Sequence, residues 1–176
     1  MVTFVSELLG WSLGILAIAL PHPSMVPFSD VRVAQSLDTS LSRSVHVNLA
    51  MEQVIHEQIN QYRMEMGLAP LALNEQISLA ARFHSQNMAA HETPFGHEGF
   101  TDRIEAIARE LPYRSAAENV AFNQGHTNPA NRAVMGWIAS ENHRNNIEGN
   151  FSHTGIGVAI NERGEYFFTQ IFILSR

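Results

Sequence analysis

The chain has 176 residues, 45% of them hydrophobic and 16% charged, with a formal charge of −6 and no cysteine. That composition is globular rather than disordered, and the acidic balance gives no electrostatic footprint for nucleic acid. The absence of thiols excludes disulfides, thiolate metal sites and a cysteine nucleophile, so any metal here relies on His, carboxylate, hydroxyl or water. Nine histidines make the charge sensitive to pH between about 5 and 8.

Residues 1–20 form the one membrane-like stretch. Leu8 to Leu20 is apolar apart from Ser12 and two glycines, and Ala17-Ile18-Ala19 supplies a small-x-small pattern. The length fits an export signal or an uncleaved N-terminal anchor better than a full span, although no Lys or Arg precedes the apolar run. Residues 21–46, punctuated by Pro21, Pro23 and Pro27 and lacking sustained periodicity, are expected to be a linker. The folded domain is expected from about Val47 to Arg176.

Within that domain, Ile55, Ile59, Tyr62 and Met66 recur at helical spacing, and Gly67 with Pro70 ends the run. Asn74 caps a second predicted helix, with Glu75 in its first turn and Ile77, Ala81, His84 and Met88 on one face. Phe100, Ile104, Ile107 and Leu111 mark a third. Asn128-Pro129 starts a fourth, with Asn as cap and Pro at the first position; Val134, Trp137 and Ile138 face inward from it. The end of the chain is β-rich: 155–160 and 166–173 flank a hairpin loop at 161–164. Helices followed by an antiparallel hairpin define an α+β domain.

Three groups of polar residues stand in apolar frames. His84 lies on the inward stripe of its helix, where an imidazole needs a carbonyl or carboxylate partner. Glu118, in Ala-Ala-Glu-Asn-Val-Ala, faces a raised pKa unless a cation or hydrogen-bond donors hold it; a His84–Glu118 pair satisfies both, and bracing of neighbouring loop amides satisfies Glu118 alone. Ser140, Glu141, His143 and Arg144 follow Trp137 at the expected C-terminal end of its helix, a position whose dipole suits His and Arg. No Gly-x-Ser-x-Gly signature accompanies Ser140, so a serine-hydrolase triad is not indicated. His91-Glu92, His97-Glu98 and His56-Glu57 lack the His-Glu-x-x-His spacing, and with His153 they read as loop or surface residues.

Taken in order, these motifs resemble the CAP superfamily (cysteine-rich secretory, antigen 5 and pathogenesis-related proteins), and most of all its cysteine-free bacterial branch of SCP-domain proteins. The resemblance spans about Ile55 to Phe172. It rests on Asn60-x-x-Arg63, Gly67-Leu-Ala-Pro-Leu71, His84-Ser-x-x-Met88, His91, Asp102-Arg-Ile104, Glu118-Asn-Val-Ala121, Trp137-x-x-Ser140-x-x-His143-Arg-x-Asn-Ile147, Gly155-Ile-Gly-Val158 and Thr169-Gln170. It implies an α-β-α sandwich, a small antiparallel sheet between helical layers, with a central cleft. In eukaryotic members two His and two Glu line that cleft and hold a divalent metal, often zinc. Here His84 and Glu118 match one half. The other half departs: Phe167 stands where the pattern has His, Ser140 where it has Glu, with Glu141 one position later and His143 added. His84, Glu118 and His143 are therefore the candidate metal-binding or catalytic residues, and Ser140 and Glu141 the candidate cleft lining.

Three functions are compatible with this pattern. One is a secreted or membrane-tethered module whose cleft binds a small ligand, peptide or cell-envelope component. The second is a metal-assisted hydrolase of peptide or cell-wall material, in which His84 and His143 hold the metal or water and Glu118 serves as base or as a hydrogen-bonding partner behind them. The third makes the polar cluster a folding device.

Overall fold

Asn74 and Asn128 set two helix starts as the sequence predicts. The Asn74 side chain accepts from the Ile77 amide (3.1 Å) at the head of α2 (Glu75–Ala89). Asn128 does the same for Asn131 at the head of α4 (Pro129–Ala139). Each cap satisfies one of the amides that a helix N-terminus leaves without a partner. Asn74→Ala is expected to lower stability by about 1 kcal/mol in urea denaturation.

The computed structural model describes residues 28–176. The expected export or anchor segment, and residues 21–27 of the expected linker, lie outside them. Two compact units divide the chain between Leu37 and Asp38. The described part of the first is helical. The second, Asp38–Arg176, carries the remainder of the chain.

The rest of the expected linker departs from its prediction, because α1 runs from Phe28 to Glu65 rather than beginning after Asn48. Around its exposed middle, local bonds support the helix: Nδ1 of His46 donates to the Ser42 carbonyl, and Gln53 donates to Glu57. Such local bonds support the exposed face of α1, whose C-terminal part buries Ile55 and Ile59. No helix among the described residues is long and apolar enough to cross a membrane.

The sheet has four strands in the order β1-β3-β4-β2. β3 (His153–Ile160) and β4 (Glu165–Ser175) form the expected hairpin. β4 also pairs antiparallel with β2 (Tyr113–Gln124), and short β1 (Ala72–Leu73) pairs parallel with β3. Neither β1 nor β2 was predicted from the sequence. Alternation along β3 and β4 sends Ile156, Val158, Phe168 and Phe172 to one face. There they pack with Ile55 and Ile59 of α1 and with Trp137 of α4. The opposite face sends Ile171 and Ile173 against Ile77 and Ala81 of α2 and Ile104 and Ile107 of α3 (Phe100–Ala108). The result is the expected α-β-α sandwich.

Side chains cover part of each sheet edge, which reduces the unpaired strand groups that invite edge-to-edge association. On the β3 edge, Ser78 Oγ accepts from the Ile156 amide and Glu52 Oε1 from the Val158 amide. Glu52 also holds Arg82 of α2 through three contacts of 2.7–3.0 Å. Burial pushes the Glu52 carboxyl up, and Arg82 pulls it back. On the β2 edge, Trp137 Nε1 donates to the Val120 carbonyl and Asn146 Nδ2 to that of Glu118.

The Asn60-x-x-Arg63 motif is structural. Asn60 bonds both backbone groups of Leu71, and Arg63, buried, donates to the carbonyls of Ala69, Ile147 and Gly149. Met66, expected on the inward stripe, is exposed beyond the helix end.

Candidate functional site

The polar residues singled out from the sequence gather at the β2 edge, but with different partners than expected. β2 turns Glu118 toward the α2/α3 layer, opposite Ile171 in register. Its carboxylate is 2% exposed. Arg103, in the first turn of α3, grips it: Nε donates to Oε2 at 3.0 Å, and Nη2 lies 2.8 Å from both oxygens. Nη1 of the same guanidinium donates to the Glu98 carbonyl at 2.7 Å.

The imidazole on Glu118 is that of His97, whose Nδ1 donates to Oε1 at 3.0 Å. His84 makes no such pair. Its Nε2 donates to the Gly96 carbonyl at 2.8 Å, the bland partner that an inward histidine requires. His84 thus fixes the loop whose next residue, His97, reaches Glu118. The His97 side chain is 52% exposed. With Nδ1–H given to the carboxylate, its neutral tautomer turns an Nε2 lone pair outward.

His143 approaches from the other side of the edge. The helix bearing Trp137 stops at Ser140, where the backbone turns extended (φ −89°, ψ 121°), and α5 (Glu141–Glu148) begins anew. His143 and Arg144 therefore sit in the first turn of a helix, not at a C-terminus as expected, and the dipole does not account for them. Ser140 occupies the N-cap of α5, yet its hydroxyl makes no cap bond. It is hydrogen-bonded instead to His143 Nδ1 at 2.9 Å. Asn119 Nδ2 donates to the His143 carbonyl and Asn146 to Asn119 Oδ1, tying α5 to β2. Glu141, expected to line the cleft, is exposed in the first turn of α5.

Burial, then the positive charge that His97 can carry, hold the His143 imidazole below the ordinary histidine range. Burial is also the largest cause of a lowered His84, with Arg103 adding to it. In the unfolded chain each ring takes up a proton near its ordinary value of 6.5, and the folded protein refuses that proton until lower pH. Their contribution is therefore complete above about pH 6.5 and is lost as the pH falls through the folded-state values. The melting temperature is expected to drop as the pH falls below the ordinary value of 6.5, and to drop less in His84→Gln, which keeps a donor for Gly96. An unchanged profile in that variant would remove His84 as a source.

Two cavities flank the cluster. One of about 310 Å³ is lined in part by Phe83, His84, Asp102 and Arg103. The other, of about 230 Å³, is lined in part by Asn123, Arg132, Trp137, Ser140 and His143. Larger cavities of about 560 and 450 Å³ lie near the β3–β4 loop and share His91 as a wall. The second of these holds Phe95, Phe122 and Phe167. Phe167, the residue at the departing histidine position, is buried with its ring 5.2 Å from that of Phe122. That position is filled by hydrocarbon.

The residues present do not fit a zinc site, which needs three or more well-placed protein ligands. Both Glu118 oxygens are engaged by a guanidinium, and His84 Nε2 is engaged by a carbonyl. Among the described residues no group of three or more His, Asp and Glu is placed to hold a metal ion.

The α-β-α sandwich sets the architectural class of this protein, and its sequence sets the family. A model of the cysteine-rich secretory protein family, CAP, matches residues 56–172. The chain belongs to that family, in its bacterial SCP-domain branch. It is 34% identical over 146 residues to the uncharacterized protein YkwD of Bacillus subtilis, an alignment covering 80% of this chain and 53% of that one. An extracellular SCP-domain protein of Bacillus anthracis superposes with a TM-score of 0.61 at 28% identity, over 76% of this chain and 43% of the other. An outer surface protein of Borrelia burgdorferi shares the fold, with a TM-score of 0.63 at 16% identity, over 72% of this chain and 94% of its own. The chain thus spans about half the length of the curated relative it matches.

Proposed function

We propose that this CAP-domain protein is an exported or membrane-tethered binding module. It presents the His97, His143 and Ser140 edge of its sheet to a small ligand, a peptide or a cell-envelope component. The observation that carries this reading is the pair of imidazoles delivered by separate elements to one edge. Glu118 orients one through Nδ1 and Ser140 bonds the other. Hydrogen-bonding groups held on a rigid frame beside small cavities are what recognition of a polar ligand requires. Export is supported by the apolar stretch at 1–20 and by relatives described as extracellular or outer-surface proteins.

Two measurements test the proposal. Fractionation of the native protein is expected to place it in the envelope or medium, and a purely cytosolic pool would defeat the export half. Isolated cell-wall sacculi are expected to retain the purified protein. His97→Ala with His143→Ala should weaken retention at least about tenfold, equivalent to about 1.4 kcal/mol, measured at a temperature where circular dichroism shows the variant fully folded. Equal retention by the double variant would take the binding role away from this edge.

A further inference from the structure

We infer that Arg103 is the resident cation of this cleft: its guanidinium fills the coordination sphere of Glu118 and keeps divalent metal out. An ionised carboxylate offers about four acceptor positions. Three contacts from Arg103 and one from His97 take up the set at Glu118. A metal ion binding there at the roughly 2.0–2.2 Å of a zinc–carboxylate bond has to displace the guanidinium first.

The displacement is opposed on three counts. Arg103 is only 10% exposed, and its Nη1 is anchored on the Glu98 carbonyl, so the side chain is held at both ends of its fork. Arginine does not shed its proton in proteins, so it cannot yield as a histidine or lysine does when a metal arrives. A guanidinium pushed aside within this buried site stays beside the incoming dication, and the two repel.

The placement follows from the sequence. Arg103 lies four residues before Ile107, on the side of α3 that packs on the sheet. An arginine at such a position is retained only with a buried partner, and Glu118 is that partner. The cleft therefore offers its ligand a neutralised Glu–Arg pair and two imidazoles rather than a Lewis acid.

The inference concerns the charge of the cleft and stands whether or not sacculi are the ligand. Its experiment needs no ligand, so either proposal can fail alone. Chelator-treated protein is titrated with Co²⁺, read by d–d absorption, and with Zn²⁺, read by calorimetry. Because surface histidines also take these ions, wild type is compared with Glu118→Gln. The two are expected to bind the same number of ions with the same affinity. Arg103→Met, checked for folding by circular dichroism, is expected to gain a site at least about tenfold tighter than any in wild type. That site is expected to disappear again when Glu118→Gln is added. A wild-type site lost in Glu118→Gln overturns the inference, and so does a folded Arg103→Met protein that gains nothing. Should Arg103→Met fail to fold, the comparison of wild type with Glu118→Gln decides.

Discussion

Gly157→Ala is expected to cost the domain about 3 kcal/mol, the upper end of ordinary overpacking. β3 passes so close to α2 that a Cβ on Gly157 would sit within the backbone of Ala81 and Arg82, and one on Gly155 within that of Ile77 and Ser78. The atoms in the way are main chain, so no rotamer change relieves the clash, and the helix has to lift from the sheet. Lifting loosens Ser85, whose hydroxyl donates to the Gly157 carbonyl and bonds Thr169. It also pulls Arg82 from Glu52. Against a total stability of about 5–15 kcal/mol for a domain, that loss moves the urea midpoint far. The same substitution at Gly136 serves as the control. It lies exposed inside α4 with open space around it, so Gly136→Ala should gain up to about 1 kcal/mol from helix propensity. A Gly157→Ala protein within about 0.5 kcal/mol of wild type, the range of neutral surface changes, would show that α2 does not approach β3 this closely.

The Gly155-x-Gly157 pair shows how much of the fold was legible in the sequence. Its position in the ordered motifs pointed to the family, yet nothing local revealed that the glycines exist to admit a helix. α2 and α4 were legible because their caps are local chemistry, and the hairpin because its loop separates two β-rich runs. β2 was not. Arg114-Ser-Ala-Ala-Glu-Asn119 offers neither alternation nor β-branched residues, and the segment becomes a strand by laddering onto β4 from Tyr113 to Gln124. Strand formation that depends on a distant partner leaves a weak local trace. α5 escaped for a different reason. Ser140 interrupts an otherwise helical run by one extended residue, and although Ser followed by Glu141 is a valid helix start, the preceding helix concealed it.

The site was half legible. Glu118 and His143 were recognised as polar groups in apolar frames, and both lie at the β2 edge. The partners of Glu118 were missed. His97 sits in a loop after Thr93-Pro-Phe-Gly96 with no periodicity to mark it. His84, on a clear stripe, took its place in the reading, because periodicity reports which residues face inward and not what they touch. Arg103 carried a usable signal: four residues before Ile107 on an amphipathic helix, it points at the sheet and must have a buried counter-charge. An inward arginine on α3 calls for an acidic partner across the sheet face, and Glu118 is the glutamate that β2 turns toward that layer.

That mutual dependence sets the second large effect. Arg103→Met is expected to destabilise the domain by about 3–5 kcal/mol, because it leaves the Glu118 carboxylate buried without its cation. Glu118→Leu leaves the guanidinium unpaired and should also be costly. The double variant Arg103→Met with Glu118→Leu removes both charges together, and replacing a buried ion pair by hydrocarbon is often nearly neutral. It is therefore expected to be more stable than Arg103→Met alone, with a coupling energy at the upper end of the roughly 0.5–3 kcal/mol seen for contacting residues. Urea denaturation of the four proteins measures this directly. The pair is shielded from solvent, so the coupling should persist at about 1 M salt, where exposed ion pairs are screened. Simple additivity of the two substitutions would mean that Glu118 does not depend on Arg103. His97, whose Nδ1 donates to Oε1, would then be its principal partner.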